Sequence, residues 1–135
     1  GDPETQAVLP RLQSDILEPI LACLDGGLDK VSLQWKPQSS TCVVLTAGGY
    51  PGEYKKGEEI FGIEIAAAQE NVIVFQAGTK LLNGKPLTNG GRVLNVVGLG
   101  ADTKESISKA YTAVEKIYFE GMQYRKDIAH KAVGW

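Results

Sequence analysis

Arg92-Val93-Leu94-Asn95-Val96-Val97-Gly98 is an apolar, β-branched run that starts directly after a pair of glycines, and it predicts a β-strand. The spacing of apolar residues then changes. From Thr103 to about Tyr118 they recur at the three- and four-residue spacing of a helix. Thr103 is the expected N-cap of this amphipathic helix. Its apolar face comprises Ile107, Ala110, Tyr111, Val114 and Ile117.

Short apolar runs before residue 92 predict further strands. Residues 41–47 and 72–77 are such runs, and residues 31–35 alternate apolar and polar side chains. Asn83-Gly84 is typical of a tight hairpin turn. Strands in succession, hairpin turns and one clear helix late in the chain predict an α+β fold with a mostly antiparallel sheet.

The segment from Pro3 to about Leu24 has helical periodicity, but Pro10 and Pro19 interrupt it. Two short helices are therefore expected, with Ser14 as the N-cap of the second. Near residue 31 the spacing of apolar residues changes from helical to alternating. We expect residues 1–30 to form the end of a preceding domain and residues 31–135 to form a domain of their own.

Composition places the chain among ordinary globular proteins. It has 135 residues, 43% of them apolar, and a net charge of −2, which offers no electrostatic attraction to nucleic acid or a membrane surface. No apolar run approaches the roughly 18–20 residues that span a bilayer. Cys23 and Cys42 lie in apolar segments and are expected to be buried free thiols in a reducing compartment.

The first residues, Gly1-Asp2-Pro3-Glu4, form an acidic turn. Asp2 is a suitable N-cap, Pro3 suits the first helical position, and Glu4 suits the positive end of the helix dipole. The two carboxylates also suit a place where a cation or an amino group is held, and both roles are compatible. Because so organised a turn opens a chain without an initiating Met, we expect the chain to be the C-terminal portion of a larger protein.

The best anion-binding candidate is the turn Asn89-Gly90-Gly91-Arg92. Adjacent glycines can aim backbone N–H groups at an anion, and the arginine can add a bidentate contact to phosphate or carboxylate. The alternative is a plain turn with an exposed arginine.

Other polar and glycine-rich segments also have two interpretations, one structural and one functional. Gly78 marks either close packing or the passage of a substrate near the backbone. Lys56 and Arg125 are either solvated charges or contributors to a positive pocket. His130 is expected at the surface without a catalytic role, and no residue of the chain is assigned a catalytic role. The chain contains no His, Cys, Asp and Glu cluster with metal-ligand spacing.

Five motifs, in order, give a family resemblance that covers essentially the whole chain. They are GDPETQ (1–6), GGYPGEYKKG (48–57), VFQAGT (74–79), GGRVL (90–94) and YRKDI (124–128). Each motif alone is weak, but the set closely resembles the C-terminal part of the phosphoribosylamine–glycine ligases, which are ATP-grasp enzymes. The resemblance implies the helical end of an ATP-grasp domain, followed by a small domain with a mostly antiparallel sheet and one or two helices.

The resemblance also implies an activity. The family joins glycine to 5-phosphoribosylamine in cytoplasmic de novo purine biosynthesis, with ATP converted to ADP and phosphate through glycyl phosphate. ATP and Mg²⁺ (or Mn²⁺) are the implied cofactors, and their ligands are expected before Gly1. The implied partners are these small molecules and the upstream ATP-grasp domain, with no nucleic acid and no membrane. The segment alone is expected to be inactive.

The same resemblance implies the site residues. Asp2 and Glu4 are expected to orient the substrate amine or lie around the metal. Gly90, Gly91 and Arg92 are expected near the sugar phosphate, and Arg92 is expected to hold it. Further expected substrate contacts are Gly78, Thr79, Lys56 and Arg125.

The sequence departs from the family pattern at two positions and leaves other functions open. The family usually has His where this chain has Gln76 and Gly where it has Ala129. A non-catalytic module that binds a sugar phosphate or a protein remains an alternative, as does a different ATP-grasp ligase. Separated from its domain, the segment 1–30 is expected to expose an apolar face.

Overall fold

A computed structural model describes residues 1–133 of the chain. Their helices are α1 (Glu4–Val8), α2 (Leu17–Leu24), α3 (Ile63–Ala67) and α4 (Thr103–Val114). Their strands are β1 (Ser39–Thr46), β2 (Val72–Gln76), β3 (Thr79–Leu82), β4 (Lys85–Thr88) and β5 (Arg92–Gly100). Short 3-10 turns lie at Leu9–Arg11, Leu28–Lys30 and His130–Ala132. The strand pairs are antiparallel, which confirms the predicted α+β class.

The strand predicted from residues 92–98 is the centre of the main sheet. The strand order is β1-β5-β2, so β5 has a neighbour on each side, and its interior is buried. Helix α4 packs against one face of β5. The two approach closely at Gly98, where an added Cβ would lie 2.5 Å from the backbone nitrogen of Ala110. The apolar pattern of residues 92–98 therefore reflects burial on both faces of the sheet.

The second face of the sheet is covered by the start of the chain. Helix α1 packs against β1 and β5, and the turn after it buries Pro10. Side chains alternate along a strand, so Asn95 lies on the face of β5 opposite to Gly98. Asn95 is fully buried, and neither atom of its carboxamide has a hydrogen-bond partner within residues 1–133.

The expected division of the first segment into two helices is confirmed, but both predicted caps are wrong. Pro3 occupies the N-cap position of α1, and no side chain of the described residues caps that helix. Ser14 does not cap α2, because its hydroxyl accepts a hydrogen bond from the backbone N–H of Gln34 (2.7 Å). The carboxylate of Asp15 instead accepts from the N–H of Leu17 (2.9 Å).

Two further predictions of local structure are corrected. Residues 31–35 form no strand. Within residues 1–133 this alternating segment pairs with no other strand and makes one isolated bridge, between Leu12 and Trp35. The N-cap of α4 is Asp102 rather than Thr103, because the Asp102 carboxylate accepts from the N–H of Glu105 (2.7 Å). The helix ends at Val114, and of the expected face Ala110, Val114 and Ile117 are buried.

The hairpin predicted at Asn83-Gly84 is confirmed between β3 and β4. Both turn residues have positive φ (51° and 78°), as a type I′ turn requires. The hairpin forms a separate two-stranded sheet.

The two cysteines differ in burial. Cys42 is buried, as expected, but Cys23 is exposed because the apolar face of α2 is largely uncovered within residues 1–133. His130 is exposed, as expected. No helix in this part of the chain has the length and apolar character needed to cross a membrane. The domain boundary near residue 30 stays a prediction.

Candidate functional site

A cavity of about 890 Å³ includes the predicted site residues Arg92 and Arg125 in its lining. The start of α1, the end of β1, the loop at Tyr50 and the tail after α4 all contribute to its wall. Its lining is mostly apolar, and cationic side chains lie among the lining residues. The lining consists of Pro3, Cys42, Val44, Thr46, Tyr50, Pro51, Arg92, Met122, Gln123, Tyr124, Arg125, Lys126 and Ile128.

Arg92 is fixed at this cavity by the ends of two strands. It is the first residue of β5, and it pairs with Thr46, the last residue of β1, where the register shifts. Its side chain is 43% exposed. The glycines before it are needed for packing: Gly91 lies against the rings of Tyr50 and Tyr54, which leave no room for a Cβ.

Asp2 lies directly against Arg92. The carboxylate oxygen Oδ2 of Asp2 is 3.3 Å from Nε of Arg92, and Nη1 of Arg92 donates to the backbone carbonyl of Asp2 (2.7 Å). The other carboxylate oxygen of Asp2 accepts from the side-chain amide of Gln6 (3.4 Å). The motifs 1–6 and 90–94, far apart in sequence, thus form one cluster, which we call the Asp2–Arg92 cluster (Asp2, Gln6 and Arg92).

The tail reaches the cavity because it continues alongside β1. Thr46 and Gln123 exchange backbone hydrogen bonds of 2.8 and 2.9 Å. Farther on, the hydroxyl of Tyr111 on α4 donates to the carbonyl of Arg125 (2.8 Å) and accepts from the N–H of Ile128 (3.1 Å). A tail without regular structure is therefore held in place by α4.

Arg125 lines the same cavity as Arg92 but already has an anionic partner. Its guanidinium donates two hydrogen bonds to the carboxylate of Asp127, at 2.9 and 2.6 Å. The hydrogen bonds and charge of Asp127 raise the pKa of Arg125, and Arg125 lowers the pKa of Asp127. Lys126, which sequence reasoning did not select, also lines the cavity, although it stands beside Arg125 in the same motif.

The other predicted contacts lie away from this cavity. Gly78 packs against Gly90, where an added Cβ would lie 2.6 Å from the Cα of Gly90. The hydroxyl of Thr79 donates to the side chain of Gln76 (2.8 Å), one of the two positions that depart from the family pattern. Of the described residues, none of Gly78, Thr79, Gly90 and Gly91 lines the cavity.

Glu4 and Lys56 are both exposed. Glu4 stands in the first turn of α1, between Asp2 and Gln6 of the Asp2–Arg92 cluster in sequence. The ammonium of Lys56 lies 5.9 Å from the centre of the Tyr54 ring. A second cavity of about 510 Å³ opens beside Tyr54, and the glutamates Glu53, Glu58 and Glu120 are among its lining residues.

Cys42 is unsuited to act as a nucleophile at the main cavity. Burial, with a contribution from the charge of Asp2, raises the pKa of its thiol to about 12. The thiol is therefore protonated at neutral pH, and the thiolate is the reactive form.

The described residues bring no three His, Cys, Asp or Glu side chains together in a way that would hold a metal ion.

The sequence did not point to Met122 and Gln123, which also line the cavity. Their only distinguishing feature is their position beside the end of β1. What the cavity offers chemically is a mostly apolar lining with the cations Arg92, Arg125 and Lys126, and a carboxylate beside Arg92.

Comparison with known families gives a match over most of the chain. The family model described as phosphoribosylglycinamide synthetase, C domain, matches residues 40–131. A phosphoribosylamine–glycine ligase of Synechocystis sp. is 54% identical over 134 residues, covering 98% of this chain and 32% of that protein. A bifunctional purine biosynthetic protein of Schizosaccharomyces pombe is 47% identical, covering 98% of this chain and 17% of that protein.

A solved structure gives the same result for the fold. The crystal structure of phosphoribosylamine–glycine ligase from Thermotoga maritima superposes with a TM-score of 0.71 at 35% sequence identity, covering 94% of this chain and 30% of that one. The chain thus spans about a third or less of the length of these relatives. The sequence motifs, the antiparallel fold and the matched region all point to one family. The chain belongs to the phosphoribosylglycinamide synthetase C-domain family.

Proposed function

We propose that this chain is the C-terminal, substrate-side part of a phosphoribosylamine–glycine ligase. The enzyme would join glycine to 5-phosphoribosylamine and release glycinamide ribonucleotide, ADP and phosphate. The observation that carries the proposal is the family match over residues 40–131, supported by relatives of that name that cover 98% of the chain. The reaction belongs to purine biosynthesis, and we propose the cytoplasm as its location.

The role of this chain would be to hold the sugar phosphate. A phosphate dianion needs cations or N–H donors at its oxygens, and a guanidinium meets that need with directed donors. Arg92 offers such a group at the edge of the cavity, and within residues 1–133 its Nη2 has no partner. Arg125 and Lys126 would add positive charge to the same rim. Glu4 stays a candidate for the substrate amine.

A free carboxylate such as that of glycine is a poor electrophile, so the ligase would convert it to an acyl phosphate before the amine attacks. Residues that fix the phosphate of phosphoribosylamine would hold this substrate beside that acyl group, and we expect their loss to act mainly on its KM.

ATP and the divalent metal would be bound outside this chain. The described residues offer no carboxylate cluster for Mg²⁺ or Mn²⁺, and the loop 48–57 lacks the GxxxxGK[ST] pattern of a phosphate-binding loop. These residues therefore do not fit a complete nucleotide or metal site, and we assign none of that chemistry to them.

The proposal is tested by ADP release with ATP, Mg²⁺, glycine and phosphoribosylamine generated in the assay. The full-length ligase that carries this segment is expected to turn over, and the segment alone is expected to be inactive. Turnover by the segment alone would contradict the placement of the nucleotide and metal outside it. No turnover by the full-length protein, with sugar-phosphate binding retained, would instead favour a non-catalytic binding module.

A further inference from the structure

The contacts of Asp2 differ from those expected of a residue that holds a substrate amine. Both of its carboxylate oxygens face groups of its own chain, with Oδ2 toward Nε of Arg92 and Oδ1 accepting from Gln6. Its backbone carbonyl is also engaged by Arg92. The carboxylate is 32% exposed, so it is neither buried nor free to turn toward a ligand without releasing Arg92.

The same contacts restrict the orientation of Arg92. An arginine side chain with a free guanidinium has several rotatable bonds, and fixing it costs conformational entropy. In this chain Nη1 donates a hydrogen bond to the backbone carbonyl of Asp2, and Nε forms an ion pair with its carboxylate oxygen Oδ2 at 3.3 Å, so both contacts restrict the direction of the guanidinium. Nη2 is left without a partner in the described part of the chain, and Arg92 lines the 890 Å³ cavity.

We propose that Asp2 is a positioning residue that acts through Arg92, and that Gln6 supports it by holding the second carboxylate oxygen. This inference rests on the proposed function, since the anion that Arg92 would hold is the phosphate of phosphoribosylamine. Asp2 brings a second effect, because its negative charge opposes an anion nearby. The proposal requires that the gain from orienting Arg92 exceed this repulsion. Removal of the carboxylate is then expected to raise the KM for phosphoribosylamine, whereas dominant repulsion would make the same change lower it.

The experiment is a double-mutant cycle in the full-length ligase, with the KM for phosphoribosylamine as the readout. The four proteins are the wild type, Asp2→Ala, Arg92→Ala and the double variant. We expect Asp2→Ala to raise this KM about fivefold to tenfold when Arg92 is present and to have no further effect when Arg92 is absent, with kcat changed less than twofold. Asp2→Asn and Gln6→Leu are expected to give smaller increases of KM.

Two controls separate this effect from loss of structure. The carboxylate of Glu59 is also 32% exposed and pairs with Lys85 at 2.9 Å in the hairpin region, so Glu59→Ala removes a comparable ion pair away from the cavity. It is expected to leave the KM for phosphoribosylamine unchanged. The KM for ATP is expected to stay constant in all variants that fold.

Each other outcome overturns the inference in a distinct way. If Asp2→Ala lowers the KM for phosphoribosylamine, or leaves it unchanged, the carboxylate of Asp2 does not position Arg92 for binding. If it raises the KM equally with and without Arg92, Asp2 acts independently, for example on the substrate amine. Those results leave the proposed function standing. If Arg92→Ala itself has no effect, both the inference and the proposed phosphate site fail.

Discussion

Individual buried polar groups of the sheet and of α4 differ in whether they are hydrogen-bonded. Thr41 and Ser106 are both buried, and their hydroxyls form a hydrogen bond of 2.7 Å between β1 and α4. Asn95 is equally buried, but its carboxamide has no partner in the described residues. A buried polar group without a partner costs about 1–3 kcal/mol, whereas a satisfied one contributes to stability.

We therefore predict that Asn95→Leu, which keeps the approximate size of the side chain, raises the free energy of unfolding by about 1 kcal/mol. Thr41→Val is the matched comparison and is expected to lower it by about 1 kcal/mol, because it leaves Ser106 with one bond fewer. Urea unfolding followed by circular dichroism measures both. A loss of stability in Asn95→Leu would show that the carboxamide makes a favourable interaction in solution.

Ala129 carries a backbone conformation that suits glycine. Its φ is +62°, in the left-handed region, just before the last 3-10 turn. This is the position where the family usually has Gly, so the departure seen in the sequence has a conformational cost of about 1 kcal/mol.

Ala129→Gly is expected to stabilise the chain by about 0.5–1 kcal/mol in the same urea experiment, because the relieved strain exceeds the added entropy of the unfolded state. Ala68→Gly serves as control, since Ala68 ends α3 with an ordinary φ of −76°. That change is expected to destabilise by about 0.5–1 kcal/mol. If both variants lost stability equally, the left-handed conformation at Ala129 would be refuted.

At the scale of elements, the sequence predicted best where local pattern and burial agree. The strand at 92–98, the hairpin at Asn83-Gly84 and the apolar face of α4 were all predictable from period and turn chemistry. The alternating residues 31–35 were not, because a strand needs a partner and the pattern does not reveal one. The caps were wrong by one or two positions, since several neighbouring Ser, Thr and Asp residues can bond to the same backbone N–H groups.

The N-terminus of α4 is capped by the side chain of Asp102. Asp102→Ala removes the hydrogen bond to the N–H of Glu105 and is expected to destabilise the chain by about 1 kcal/mol. Thr103→Ala, at the position that the sequence pattern favoured, is expected to cost less than half of that, because Thr103 is already inside the helix. Thermal unfolding of the two variants compares them directly. A larger loss in Thr103→Ala would reverse the assignment of the cap.

The candidate site was predictable in part. The sequence identified Arg92 and Arg125, which line one cavity, but it did not predict that Asp2 and Arg92 would be in contact. Contacts between residues so far apart depend on α1 packing across β1 and β5, which no local pattern encodes. The glycines near Arg92 were open to two explanations, and the contacts of Gly78 and Gly91 favour packing.

At the scale of the whole molecule, helix α2 exposes a continuous apolar face. Its apolar side chains recur at helical spacing and are 50–78% exposed: Leu17, Ile20, Leu21 and Leu24. Exposed contiguous apolar surface promotes association. The segment 1–30 was expected to behave in this way when separated from its domain.

We predict that the chain by itself associates as its concentration rises, and that Leu21→Gln combined with Leu24→Gln suppresses this. Leu81→Gln combined with Leu82→Gln is the matched control, because those hairpin side chains are 75% and 52% exposed but lie in a different element. Sedimentation velocity over a range of concentrations measures the association. A monomeric wild-type chain, or equal suppression by the hairpin variant, would contradict this prediction.

We propose that this chain supplies the sugar-phosphate side of the ligase through Arg92. The most direct measurement is the affinity of the full-length enzyme for ribose 5-phosphate, a stable analogue of phosphoribosylamine, in the wild type and in Arg92→Ala. We predict a loss of about tenfold to a hundredfold, as expected for charge-assisted hydrogen bonds of about 1.5–3 kcal/mol, with unchanged affinity for ATP. Equal affinity of the two proteins for ribose 5-phosphate would show that Arg92 does not hold the sugar phosphate.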